Sequence, residues 1–228
     1  MSEGRRGFAG QPEAGSVALV TGGLGFIGTA LCRKLAAQRT VVHSASRRAH
    51  ASSSALRHWQ IDLCDFRAVS ALIQEVRPDY VFHLASHVQG SPDPVHILPS
   101  FHGNLETTVN LLTAIADRGC RRFVMTGSFM EPVGHPGDLT PTSPYAAAKW
   151  ASAAYVRMFH SLYRVPVTTG RVFMVYGPGQ QDATKLVPYT INCLLKGERP
   201  KISSGRRLVD WIYAVSYTHL TLPTNREV

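Results

Sequence analysis

The most constraining feature of this chain is the run Val20-Thr21-Gly22-Gly23-Leu24-Gly25-Phe26-Ile27-Gly28, where an apolar segment meets glycines at 22, 25 and 28 and opens into helical spacing. A strand, a tight turn and a helix folded back on the strand satisfy that pattern. The first glycine permits the turn, the second lets the backbone approach a pyrophosphate, and the third lets the helix pack closely. Free N–H groups and the positive end of the dipole at the helix N-terminus then favour phosphate. Gly22, Gly25, Phe26, Ile27 and Gly28 are therefore candidate dinucleotide contacts. An ordinary tight turn also fits a glycine triplet, so the surrounding order of elements has to decide.

That order supports the dinucleotide reading. Apolar runs at Val17 to Val20, Thr40 to Val42, Tyr80 to Leu84, Arg122 to Met125 and Val167 to Val172 read as strands. Helical spacing lies between them at Phe26 to Gln38, Phe66 to Val76, around Phe101 to Arg118, and at Tyr145 to Tyr163. Such alternation predicts an α/β fold, a doubly wound parallel sheet of Rossmann type with helices on both faces. Pro- and Gly-rich loops at Glu131 to Pro144 and Gly177 to Gln181 fall at the carboxyl edge, where ligands sit in such folds.

The chain has 228 residues, 44% of them hydrophobic, enough for a full core. Residues 1 to 15 are polar and Gly-rich, read as a flexible tail without a signal peptide, and no apolar run reaches the roughly 18 residues of a membrane span. A cytoplasmic protein with no membrane partner is expected. The net charge is +9, but the basic residues come in twos along the chain and form no stripe, so no nucleic-acid partner is expected. Cys32, Cys64, Cys120 and Cys193 form no CxxC pair, so no metal site is expected and the thiols read as reduced and mostly buried.

A binder of NAD usually carries an acidic residue at the end of the second strand for the ribose 2′-hydroxyl. None occurs here between Gly28 and Asp62, and that strand runs into Ser46-Arg47-Arg48. Two guanidiniums suit a 2′-phosphate. Arg47 and Arg48 are therefore candidate cofactor contacts, and NADP(H) is preferred over NAD(H), against the alternative of a merely solvated basic loop.

Tyr145-Ala146-Ala147-Ala148-Lys149 puts a phenol and an ammonium on one helix face at i, i+4. The ammonium is expected to lower the phenol's pKa and fit Tyr145 for proton exchange with a substrate hydroxyl or carbonyl.

The TGGxGFIG turn and the downstream YxxxK together resemble the extended short-chain dehydrogenase/reductase family of NAD(P)-dependent nucleotide-sugar epimerases, dehydratases and ketoreductases. The resemblance covers about residues 16 to 214 and implies further roles. Ser128, ending the fifth strand, corresponds to the family's catalytic serine or threonine, acting on substrate with Tyr145 and Lys149. Asp62 and Leu63 fall at the adenine position, His83-Leu84-Ala85 with Ser86 at the fourth-strand cofactor motif, and Asn104 at the central-helix asparagine. Arg207, before Asp210-Trp211-Ile212-Tyr213, falls where an arginine meets the substrate diphosphate, though Arg206 is adjacent.

Two departures shape the functional expectation. The family's dehydratases follow the serine or threonine with an Asp-Glu pair, whereas this chain has Phe129-Met130, with Glu131 one place too late. Dehydratase thus becomes a minor reading. In Arg171-Val172-Phe173-Met174-Val175-Tyr176-Gly177-Pro178-Gly179-Gln180, Met174 stands where the family usually has a substrate-contacting asparagine.

The resemblance implies an oxidoreductase or epimerase on a nucleotide-sugar substrate, and the Arg47-Arg48 reading leans slightly toward a 4-ketoreductase over a 4-epimerase holding NAD. A non-catalytic NADP-sensing protein and a reductase of non-sugar carbonyls are the alternatives. A homodimer through helices that include the YxxxK segment is also implied. The expected organisation is a Rossmann domain over 16–180, a partial, truncated C-terminal substrate lobe over 181–214, and a non-native tail over 215–228.

Overall fold

The computed structural model describes residues 12–134, 139–202, 205–206 and 208–214. Arg207, most of the expected leading tail and all of 215–228 lie outside them. The elements run β1 (Val17–Thr21), α1 (Phe26–Ala37), β2 (Val41–Ser46), β3 (Arg57–Gln60), α2 (Phe66–Val76), β4 (Tyr80–His83), α3 (Ile97–Ser100), α4 (Thr107–Arg118), β5 (Arg122–Ser128), α5 (Pro144–Tyr163), β6 (Val167–Val172), β7 (Met174–Tyr176), α6 (Leu186–Leu195) and β8 (Trp211–Tyr213).

Six strands form one parallel sheet in the order β3-β2-β1-β4-β5-β6. Both faces are covered. Leu19, Val81, Phe123 and Met125 meet Val69 and Ile73 of α2 and Leu111, Leu112 and Ile115 of α4 on one side. Ala18, Val20, Val42 and Phe82 meet Cys32 and Leu35 of α1 on the other. Successive strand residues point to opposite faces, so a sheet buried on both sides needs the unbroken apolar runs seen in the sequence. Strand order reverses between β1 and β4, which opens a crevice above their carboxyl ends.

Several elements depart from the expectation. β3 is a polar edge strand whose Arg57-His58-Trp59-Gln60 pairs with β2 in the register His43↔Arg57 and Ala45↔Trp59. An edge strand covered on one side lacks the apolar run that announces its neighbours. The expected helix at Phe101 to Arg118 starts earlier and is irregular: a 3₁₀ turn at Pro94–His96, the short α3, a π-helical segment at Phe101–Glu106, then α4. Beyond the sheet, β7 and β8 pair in parallel as a separate ribbon, and α6 shows Leu186, Ile191, Leu194 and Leu195 to solvent. Among the described residues no helix is long and apolar enough to cross a membrane.

Candidate active site

Gly22 follows β1 with φ +68, and a Cβ there would sit 2.7 Å from the backbone nitrogen of Ala85. Only glycine allows both the left-handed conformation and that approach of β1 to the β4 loop. A Cβ on Gly28 would run into the Gly22 carbonyl oxygen, so α1 packs directly on the turn that launches it. The N-cap of α1 is Gly25, and no side chain caps the helix. Its first amides therefore have no side-chain acceptor, which suits a phosphate.

Arg47 and Arg48 stand exposed where β2 ends. The Arg48 guanidinium reaches back over the turn and donates to the Leu24 carbonyl at 3.1 Å. A cleft beside the turn is lined by Leu24, Arg33, Arg48 and His50, among others, and is basic. Asp62 and Leu63 follow β3 at the far side of the sheet. Leu63 is buried in the core, while Asp62 is exposed and accepts the Cys64 N–H at 3.0 Å.

Over β4 and β5 the expected residues converge. Thr21 Oγ1 accepts the Ala85 N–H at 3.2 Å, tying β1 to the segment Leu84-Ala85-Ser86. Asn104, 1% exposed within the π-helical segment, accepts from Ser86 Oγ at 2.5 Å and from the His87 N–H at 3.0 Å, and donates to the His87 carbonyl at 3.2 Å. Its amide thus orders the loop that carries Ser86. Ser86 and Ser128 both lie within hydrogen-bonding reach of the Tyr145 phenol. Ser143 caps α5 by accepting the Ala146 N–H at 3.2 Å, with Pro144 in the first turn, so Tyr145 and Lys149 enter the site on the first turns of a well-started helix. Lys149 Nζ donates to the Thr126 carbonyl at 3.0 Å.

The electrostatics correct one expectation. Burial pushes the Tyr145 phenol up, outweighing the hydrogen bond from Ser128, and Glu131 raises it further, so the phenol is not lowered. Lys149, almost wholly buried, is itself lowered to about 8 by desolvation, partly opposed by Glu131. Its ammonium donates to the Thr126 carbonyl, which leaves two of its three N–H donors for other acceptors.

Glu131 and Arg171 were given no role in the site from the sequence, and His83 entered it only as part of the fourth-strand motif. Glu131 sits in a turn closed by its N–H on the Ser128 carbonyl at 3.2 Å, which swings its buried carboxylate back to accept the Ser128 N–H at 2.5 Å. Arg171 of β6 clamps the same turn, donating to the carbonyls of Ser128 at 3.3 Å and Glu131 at 2.7 Å. His83, buried beneath the site, lies between Thr21 Oγ1 at 2.8 Å and Thr108 Oγ1 at 3.0 Å, and desolvation followed by the Lys149 charge drives it down to about 3. Spacing could have flagged Glu131 only if the turn had been foreseen. Of the two residues replacing the acidic pair, Phe129 stacks on Phe173 with ring centroids 5.8 Å apart, and Met130 would touch any side chain on Gly90.

Comparison with known proteins agrees with this architecture. The family model described as "NAD dependent epimerase/dehydratase family" matches residues 18–222. The chain is 31% identical over 241 residues to a dTDP-glucose 4,6-dehydratase of Haemophilus influenzae, covering 91% of this chain and 71% of that one. It is 32% identical over 222 residues to a dTDP-glucose 4,6-dehydratase of Mycobacterium tuberculosis, covering 86% of this chain and 64% of the relative. The chain thus spans about two thirds of the length of these curated relatives. Among solved structures it resembles the UDP-glucose 4-epimerase of Thermus thermophilus in complex with NAD, with a TM-score of 0.74, 25% identity, and 89% and 72% of the two chains covered.

Proposed function

Since the chain belongs to the NAD-dependent epimerase/dehydratase family, we propose that it carries out reversible hydride transfer at a hydroxyl-bearing carbon of a nucleotide-activated sugar, in the direction of carbonyl reduction and with NADP(H). The observation that carries this reading is the convergence of Ser128, Tyr145 and Lys149 over β5, with no uncommitted carboxylate beside them among the described residues. Glu131, the acid beside them among the described residues, is committed to the Ser128 N–H, and Phe129 and Met130 fill the positions where a dehydratase has its acidic pair. That arrangement favours hydride transfer alone over water elimination, although the relatives above carry a dehydratase name.

The residues present fit a nicotinamide dinucleotide. The uncapped α1 N-terminus and the close backbone at Gly22, Gly25 and Gly28 suit its pyrophosphate, and Arg48, tethered over Leu24 with Arg47 beside it, suits a 2′-phosphate. Such a cofactor supplies the hydride. Ser128 and Tyr145 would hold the reacting oxygen between their hydroxyls. A phenol held high by burial stays protonated through neutral pH and can donate to the oxygen of a carbonyl as it becomes an alkoxide. The 2′-phosphate role of the arginines is the basis for preferring reduction over epimerisation. The second reading, a 4-epimerase that keeps NAD bound, draws on the likeness to the Thermus epimerase in its NAD complex.

Parallel titrations of NADPH and NADH, followed by nucleotide fluorescence, test the proposal. Tighter NADPH binding, weakened at least tenfold in Arg48→Ala, is the expected result. Preference for NADH, or cofactor that copurifies, would turn the assignment to epimerase. Tyr145→Phe is expected to cut turnover by about 10²- to 10⁴-fold while cofactor affinity changes little; normal turnover in this variant would remove Tyr145 from the chemistry.

A further inference from the structure

Just before the N-termini of α2 and α4, three potential ligand groups of different chemistry meet. The Cys64 thiol, an imidazole nitrogen of His102 and a carboxylate oxygen of Glu106 all lie within 4.8 Å of one another. We propose that Cys64, His102 and Glu106 form a binding site for a borderline-soft divalent cation of the Zn²⁺ class.

The scaffold on both sides is fixed. Asn110 of α4 donates to the carbonyls of Leu63 at 2.9 Å and Cys64 at 3.1 Å, and the Asp62 carboxylate takes the Cys64 N–H, so the loop after β3 is pinned to the helix that follows His102 and Glu106. His102 and Glu106, four residues apart on the π-helical segment, project together and already touch at 2.6 Å. π-Helical turns often accompany functional sites. An exposed contact of this kind between an imidazole and a carboxylate adds little to stability, so the pair alone offers little reason for the bulge.

The donor set selects the ion. Zinc takes sulfur at about 2.3 Å and nitrogen or oxygen at about 2.0–2.2 Å, which puts tetrahedral ligands roughly 3.5 Å apart. The His102 and Glu106 side chains are half-exposed or nearly so, at 51% and 32%, and can make the required adjustment of about 1 Å without disturbing the core. A thiol and an imidazole exclude Mg²⁺ and Ca²⁺, which want oxygen cages. Three protein ligands leave a fourth position for water or for Asp62, whose carboxylate lies within hydrogen-bonding reach of the thiol. Entry of the ion displaces the thiol proton to solvent, leaving thiolate on the metal.

The test is titration of the full chain with Co²⁺ after chelator dialysis, in the presence of a non-thiol reductant. A one-to-one complex with intense visible bands of tetrahedral cobalt, a thiolate-to-cobalt charge-transfer band in the near ultraviolet, and displacement by one equivalent of Zn²⁺ are expected. Cys64→Ser should abolish the charge-transfer band, and His102→Ala should weaken Co²⁺ binding by at least tenfold. Cys120→Ser, altering a thiol elsewhere, should leave the spectrum intact. No charge-transfer band in the unaltered chain, a band that survives Cys64→Ser, or unchanged affinity in His102→Ala would each overturn the site. Because unfolding could mimic loss of binding, circular dichroism is recorded for each variant, and Glu106→Gln gives a second, milder change at the same site that is likewise expected to weaken Co²⁺.

Discussion

The carboxylate of Glu131 takes the Ser128 N–H and faces both Tyr145 and Lys149, so its charge and its shape can be altered separately. Glu131→Gln keeps an oxygen acceptor for the amide but removes the negative charge that holds the phenol and the ammonium up. Both groups should then fall. In the reductive direction, where Tyr145 must carry its proton, the alkaline loss of kcat/KM should begin at lower pH than in the unaltered enzyme. Glu131→Ala instead leaves a buried N–H without its acceptor, a cost of about 1–3 kcal/mol in stability. It should also lower kcat by roughly 10–100-fold through misplacement of Ser128. A pH profile that keeps its alkaline limb in the Gln variant would reduce Glu131 to a structural acceptor.

At the scale of elements, the turn between β1 and α1 shows why some of this structure was legible in sequence. Gly22 and Gly28 are there because backbone atoms occupy the space a Cβ would need, and a steric requirement of that kind leaves the same mark wherever it occurs. Gly28→Ala is expected to cost about 1–3 kcal/mol by overpacking and to weaken NADPH binding at least tenfold, read by thermal unfolding and fluorescence titration on one preparation. Affinity retained at full stability would detach the turn from the cofactor. The buried strands were legible for a similar reason, since both their faces must be apolar. β3 was not, because half of Arg57-His58-Trp59-Gln60 faces water and its one large anchor, Trp59, is held by a hydrogen bond to His43 Nδ1 at 2.9 Å rather than by an apolar run. The order Ser128, Tyr145, Lys149 could be read along the chain, while Glu131 and Arg171 reach the site through a turn and a neighbouring strand that no local spacing encodes. The raised Tyr145 phenol was missed because spacing reports which groups are neighbours and says nothing of desolvation.

For the molecule as a whole, the site places ionisable groups inside the core, and that ties stability to pH. His83 lies between β1 and α4 with its ring nitrogens facing Thr21 and Thr108, its pKa lowered from 6.5 to about 3 by desolvation and by the Lys149 charge. A folded-state value below the unfolded one means that the unfolded chain binds the extra proton across that interval. Stability therefore rises with pH from about 3 to 6.5 and is lost as pH falls through the same window. Lys149, lowered from 10.5 to about 8, acts with the same sign on the alkaline side, so its burial costs stability at neutral pH and the cost fades as pH climbs toward 10.5. The His83 contribution between pH 7 and 4 is on the order of a few kcal/mol. Because a chain of this size moves by roughly 2–4 °C per kcal/mol, the unaltered protein should lose about 5–10 °C more of its melting temperature over that range than His83→Gln, whose amide can still bridge the two threonines without titrating. Melting curves of both proteins at half-unit pH steps decide the matter: parallel acid losses would move the pH dependence to the carboxylates, and a flatter curve for the variant would locate it at the base of the site.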